Sequence, residues 1–430
     1  LKNDKSALRI ILVFFIIGFL FIEGQSQIAV NSPYSRYGVG DLATRQNAYN
    51  YSMGGISYAI SHPRFINPSN PASNHAFDSL SFVFTGGIAS QLGRLRTDET
   101  TSDSEYITLG YLLFGFPITH WLKSSIGITP YSNVGYNIID EQVLEDIGAT
   151  DFHYLGSGGL NEFFLNLSFQ VHKDLALGLK TSYMFGKAQL GRLVSFPDSA
   201  YMLNTRLDNY IEVGDLFFEF GAQYNKDIGR NLTLGLGAVY MPQQQIKATE
   251  TYLARTYFGD ATSVGLFKDT IDSRIKNQGN LTLPQKIGFG IMLRKGNNWM
   301  VGADYEWQNW SKYKAFGVTD SLQNSMRFSL GGEYKPKRTG GVGSYFENVT
   351  YRLGLRYNQT YLNLRNTKIN EFGISFGLGL PLPRSYSSIN LAVEIGKRGT
   401  TAFNLIQENY IRFTLGVSIK ETWFIKRKYN

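Results

Sequence analysis

From Tyr410 to Ile419 every second residue is apolar. Ile411, Phe413, Leu415, Val417 and Ile419 fall on one side of an extended chain, and Arg412, Thr414, Gly416 and Ser418 on the other. Side chains of a strand alternate between its two faces, so this segment has one greasy face and one polar or small face. The same phase recurs with Ile389, Leu391, Val393 and Ile395 against Asn390, Ala392, Glu394 and Gly396, and with Phe372, Ile374, Phe376, Leu378 and Leu380 against Gly373, Ser375, Gly377 and Gly379. Segments of about ten residues with this alternation, separated by turn residues, mark strands that cross a membrane as a closed barrel. Comparable segments lie near 79–92, 104–117, 120–138, 159–172, 174–190, 210–226, 230–247, 281–295, 297–313, 324–337, 346–361, 370–382, 386–398 and 407–421. That is about fourteen, an even number as bacterial barrels have. Short polar turns such as His172-Lys173-Asp174, Gly229-Arg230-Asn231 and Gly296-Asn297-Asn298 join some of them, and the long connections 191–209 and 248–280 separate others. A soluble sandwich would use strands of about five or six residues around one shared core. The pattern predicts an all-β fold, a transmembrane antiparallel barrel over 79–422.

Two stretches break the pattern. Lys2, Lys5 and Arg9 precede an apolar run from Ile10 to Ile22 and the small tripeptide Gly24-Gln25-Ser26. This three-part layout is that of a secretory signal peptide, 1–26, and the run is shorter than the ~20 residues a spanning helix needs. Residues 27–78 carry Asn31-Ser32-Pro33, Met53-Gly54-Gly55, His62-Pro63, Asn67-Pro68 and Asn70-Pro71, too many breakers for long strands. Such a segment before a barrel can hang in the periplasm or fold up inside the lumen, where inward side chains can satisfy its backbone, and the lumen is the favoured expectation.

Composition adds exclusions. There is no Cys among 430 residues, hence no disulfide, thiolate chemistry or Cys-held metal. The 45 Gly, 30 Phe and 27 Tyr suit a barrel wall. The formal charge of +8 is modest for the length, and beyond the basic tail 423–430, with Lys426-Arg427-Lys428, there is no tract of the kind that binds nucleic acid.

On the lumen phase of the C-terminal strands stand Arg327, Glu333, Arg352, Arg356, Glu394 and Arg412. A network holding the N-terminal segment is the plainer reading, and a selectivity site the sharper one. Asp304 and Glu306 carry the same ambiguity. Trp121, Trp299, Trp307, Trp310 and Trp423 are expected at the membrane interfaces. None of His62, His75, His120, His153 and His172 falls mid-strand on the lumen phase, so no catalytic site is expected. Gly235-Leu236-Gly237 and Gly377-Leu378-Gly379 continue strand alternation and precede no helix, and no metal-ligand spacing or cofactor motif is present.

Ser52-Met53-Gly54-Gly55-Ile56, followed by Ile66-Asn67-Pro68-Ser69-Asn70-Pro71-Ala72, resembles the N-terminal hatch signature of the FadL family of outer-membrane transporters. Leu283-Pro284, Gly288, Trp299, Asp304, Trp307, Trp310 and Ser311 are similar to that family's spaced pattern over two strands. Pro117 through Trp121 and Ile126 to Tyr131 also fit. The resemblance implies a fourteen-stranded barrel plugged by a hatch and, for the better-known members, passage of apolar substrates through the lumen and sideways through a gap in the wall. Asn31 to Gly38, Gly156 to Asn161 and Trp423 to Lys428 resemble a Bacteroidota branch with PorV-type barrels, which serve as partners of larger outer-membrane machines. The expected function, in the outer membrane of a Gram-negative cell, is passive uptake of hydrophobic small molecules, and the alternative is an accessory barrel. In the first, hydrophobic small molecules pass as Met53, Gly54 and Gly55, or Asn70, Pro71 and Ala72, shift. In the second, an accessory barrel in a secretion or assembly complex meets its partner through 191–209, 248–280 or its lipid face. Membrane lipid, a hydrophobic ligand and other outer-membrane proteins are the expected partners, with no nucleic acid.

Overall fold

A computed structural model describes residues 32–199, 201–259, 267–336, 345–383 and 385–422. The expected signal peptide, residues 27–31 of the hatch and the basic tail lie outside them.

Fourteen strands form the wall. They are β1 (Ser81–Arg96), β2 (Thr101–Pro117), β3 (Leu122–Asn133, continuing as Tyr136–Leu144), β4 (Gly148–His172), β5 (Leu175–Ser195), β6 (Asn204–Gly229) and β7 (Leu232–Met241, continuing as Gln244–Tyr257). There follow β8 (Phe267–Leu283, continuing as Lys286–Lys295), β9 (Trp299–Gln308), β10 (Ser325–Tyr334), β11 (Thr350–Leu364), β12 (Thr367–Pro381), β13 (Ser388–Gly399) and β14 (Gln407–Thr422). Each pairs antiparallel with the next, and β14 returns to β1 over the register Ser81↔Thr422 to Arg96↔Gln407, which closes the sheet and removes its edge. The predicted alternation sets the faces. Ile411, Phe413 and Leu415 are 40%, 44% and 37% exposed to the outside, whereas Thr414 and Ser418 are 7% and 1%.

The two long connections are a correction. Residues 191–195, 204–209, 248–257 and 267–280 are strand, extending β5 to β8 well past the wall. At ~3.3 Å per residue, 26-residue β6 is roughly 85 Å long, whereas about 9–11 residues cross a membrane. The extensions pair into a sheet that stands beyond the barrel on the side away from the short turns. Pro242 and Pro284 break β7 and β8 at the same level, since Met241 pairs with Lys286 and Gln244 with Leu283. Proline cannot donate to a ladder. The Gln244 carboxamide fills in, accepting from Phe218 N at 2.8 Å and donating to Phe218 O at 3.0 Å.

A second irregularity opens the wall. β2 and β3 pair only from Leu112↔Ile128 to Pro117↔Lys123, so 101–111 have no β3 partner. Above that point β3 carries Pro130 and pairs instead with Asp41–Leu42 of the N-terminal segment.

That segment has little regular structure and is almost entirely buried. Asparagines do the work of a ladder. Asn47 caps the short helix Ala48–Tyr51 by accepting from Asn50 N, Asn67 donates to Ser57 O and Ile60 O at 2.6 and 2.9 Å, and Asn70 accepts from Ala72 N. Its contacts reach Tyr111, Ser168, Ala222, Asp304 and Ser375, on five strands spread around the ring.

Candidate functional site

The interface between this segment and the wall concentrates the buried chemistry. At the end nearer the short turns, backbone meets backbone. Gly54, at φ +66°, donates its N–H to Ser375 Oγ at 2.7 Å. A Cβ on Gly54 would stand 2.6 Å from Leu355 O, and one on Gly354 of β11 would fall on the Gly54 nitrogen. Met53-Gly54-Gly55 therefore lies flush against β10 and β11. Asn70-Pro71-Ala72 does the same on the opposite wall: Asn70 donates to Ala222 O at 3.2 Å, and Ser168 Oγ donates to Ala72 O at 2.8 Å.

Midway, Asp304 Oδ2 accepts from Ser57 N and Tyr58 N at 2.6 and 3.0 Å. Beside it the Tyr58 hydroxyl donates to Glu306, which Arg327 also holds at 3.0 Å.

Above lies a band of paired charges. Lys180 meets Glu162 at 2.8 Å and Lys286 meets Glu219 at 2.7 Å. Arg45, from the N-terminal segment, reaches Glu162 at 3.2 Å and Glu219 at 3.8 Å. Across the lumen, Arg356 bonds Glu371 at 2.9 Å and Glu394 at 2.6 Å, and Arg398 bonds Asp41 at 2.9 Å. Among the described residues the band holds seven carboxylates (Asp41, Glu162, Glu219, Glu306, Glu371, Glu394, Glu408) and seven cations (Arg45, Lys180, Lys286, Arg327, Arg356, Arg398, Arg412), so its formal charge balances, with every cation but Arg412 on a carboxylate. It encloses a cavity of about 120 Å³.

The six lumen charges predicted from phase all point inward. Arg327 takes Glu306, Arg352 takes Glu333 at 3.4 Å, and Arg356 takes Glu394. Arg412 bonds the Tyr51 hydroxyl at 2.7 Å and Gln91 at 2.9 Å. They do not form one cluster: Glu333 and Arg352 stand apart, at the end with short turns. Glu162, Lys180, Glu219 and Lys286 were missed, although the same two-residue phase marks Glu162-Phe164-Asn166-Ser168 and Glu219-Gly221-Gln223 as inward. Asp41 and Arg45 have no such signal, because their segment has no period. Trp310 is a correction. It is 1% exposed, packed on Tyr361 with ring centres 4.7 Å apart, and belongs to an apolar cluster with Tyr34, Phe217, Tyr313 and Leu283 rather than to an interface belt.

Above the pairing limit of β2 and β3, Tyr106, Thr108 and Gly110 face Pro130 and Asn133 across a cleft of about 60 Å³ floored by Asp41 to Thr44. This is a gap in the wall partly filled by the N-terminal segment.

A family model described as BamG matches residues 8–430. A comparison with curated protein sequences gives no match. Among solved structures, the chain is similar to the Pseudomonas putida toluene transporter TodX, at 15% identity and a TM-score of 0.57 over 88% of this chain and 99% of that one. It is also similar to the Ralstonia pickettii toluene transporter TbuX, at 12% identity and a TM-score of 0.56 over 87% and 97% of the two chains. A Pseudomonas aeruginosa FadL homologue gives 14% identity and a TM-score of 0.55 over 90% and 100%. At these identities the likeness is one of fold: a closed outer-membrane-type barrel of the FadL kind.

Proposed function

The chain belongs to the BamG family, and we propose that it works as a closed accessory barrel of an outer-membrane secretion or assembly complex. The observation that carries this is the self-neutral charge band. Its cavity of about 120 Å³ is polar and well below the ~300–1,000 Å³ of ordinary small-molecule pockets. An apolar molecule passing here would have to separate buried ion pairs, each costing about 3–5 kcal/mol when broken from one side. Met53-Gly54-Gly55 and Asn70-Pro71-Ala72 then act as fixed docking points. The tall sheet of β4 to β8 and the lipid-facing wall offer the surface on which a partner sits.

A second reading, passive passage of hydrophobic small molecules, is favoured by the gap between β2 and β3 together with the fold shared with hydrocarbon channels. On this reading the same glycines permit the segment to move and Asp41–Leu42 is the strip that must leave the gap.

Native mass spectrometry of the barrel extracted from its own membranes in mild detergent separates the two. Stoichiometric co-purification with other outer-membrane proteins is the expected result. A lone barrel carrying an apolar molecule would sink the accessory reading in favour of passage.

A further inference from the structure

Charge is balanced in the middle of the lumen but not at its lower mouth. A recess of about 100 Å³ opens there between the turn His62–Phe65 of the N-terminal segment, the hairpin tip 296–298 and the first residues of β11 and β13. Arg64, Arg294, Lys335 and Arg352 line it, and among the described residues that do so the one carboxylate is Glu333, already held by Arg352 at 3.4 Å. Among the described residues Arg294 meets only Ser61 O and Met300 Sδ, each at 3.4 Å, and Arg64 lies 5.9 Å from the centre of the Tyr386 ring.

His62 reports the resulting field. Its ring packs on Phe65 at 4.6 Å, and its Nδ1 accepts from Arg64 N at 3.1 Å. Burial, with Arg294, Arg64, Arg352 and Lys420 around it, holds its pKa well below the usual histidine range. Three cations without a carboxylate around a half-buried recess are unfavourable until an anion joins them. Asn297, Asn298, Asn348 and Asn390 also line the recess. Carboxamides donate and accept, which suits a peptide group better than a free oxyanion, an acceptor alone.

We infer that this recess docks a carboxylate of an extended polypeptide presented from the periplasm, an acidic side chain or a chain terminus. The inference stands under either reading of the lumen, because the recess lies at the mouth and needs no movement of the N-terminal segment.

The test is fluorescence anisotropy on the detergent-solubilised full barrel with a short labelled peptide carrying glutamates, its glutamine counterpart, and inorganic phosphate as competitor. Charge-assisted hydrogen bonds at ~1.5–3 kcal/mol correspond to about tenfold or more in affinity. The glutamate peptide should bind about tenfold tighter than the glutamine one, and Arg64→Ala and Lys335→Glu should each weaken it about tenfold, with unchanged thermal unfolding. Arg94→Ala, at the opposite rim, should leave binding unchanged. Equal binding of the two peptides, or wild-type binding by both mouth variants, overturns the inference. So does phosphate binding as tightly as the peptide, which would make the recess a site for free oxyanions.

Discussion

The N-terminal segment is held in two different ways at two levels of the same barrel. In the charge band, side chains reach across the lumen, and every carboxylate has a cation within reach. At Met53-Gly54-Gly55 the holding element is the absence of side chains, which lets one backbone lie against another. The first kind of contact is strong when whole and costly when half-broken, yet a pair can be exchanged for another pair. The second has no alternative chemistry, since any Cβ takes the space the partner backbone occupies. A lumen filled by both cannot loosen at one level without straining the other.

The largest effect should come from halving an ion pair. Lys180→Met leaves Glu162, at 0% side-chain exposure, with Arg45 at 3.2 Å as its one remaining cation and the Thr129 hydroxyl donating at 3.0 Å. A loss of about 3–5 kcal/mol in urea unfolding is expected, and pairing it with Glu162→Leu should recover much of that. No recovery would mean that the band is not held pairwise.

Next comes the backbone contact. Gly354→Ala places a methyl on the Gly54 nitrogen, and overpacking of this kind costs about 1–3 kcal/mol. A compensating change elsewhere should not restore it. Planar-bilayer recordings should show conductance in this variant and none in the wild type. Silent channels and unchanged unfolding would show that the segment is softer here than its geometry implies.

A smaller effect is read by pH. His62 is held neutral in the folded barrel, its pKa pushed well below the ordinary histidine range by burial and by the cations around it. The unfolded chain thus binds the extra proton first, and stability is full above about pH 6.5 and falls as pH drops below it. His62→Phe should flatten that slope in thermal unfolding between neutral and mildly acidic pH. A slope that persists assigns it to other groups.

The smallest effect belongs to the rim. Arg94 and Asp103 meet at 3.0 Å with side chains 66% and 76% exposed. Arg94→Ala should change stability by about 0–1 kcal/mol. A larger loss would give the rim a structural role that neither level of the interior explains.

The wall was legible because water and lipid impose period two on it. Ile411 to Ile419, Ile389 to Ile395 and Phe372 to Leu380 gave their strands, their phase and their inward charges without any contact being known. The same rule explains what was missed. In 267–280 both faces of the strand meet water, so Ile271 and Ile275, 64% and 69% exposed, stand among charges with no greasy face. A strand of that kind looks like a loop. Trp310 looked like an interface residue because its depth depends on where the connection after β9 folds back.

What the sequence determined on its own is therefore the barrel: alternation, strand number and which face of each C-terminal strand turns inward follow from a local period set by two solvents. What only the tertiary structure decided is the pairing. Glu162 with Lys180 and Arg45, Arg398 with Asp41, and Gly354 with Gly54 join residues far apart in the chain. Their partnership depends on shear, tilt and the path of an aperiodic segment, none of which leaves a repeat in the order of residues. The balance of charge in the lumen and its surplus at the mouth are properties of that packing.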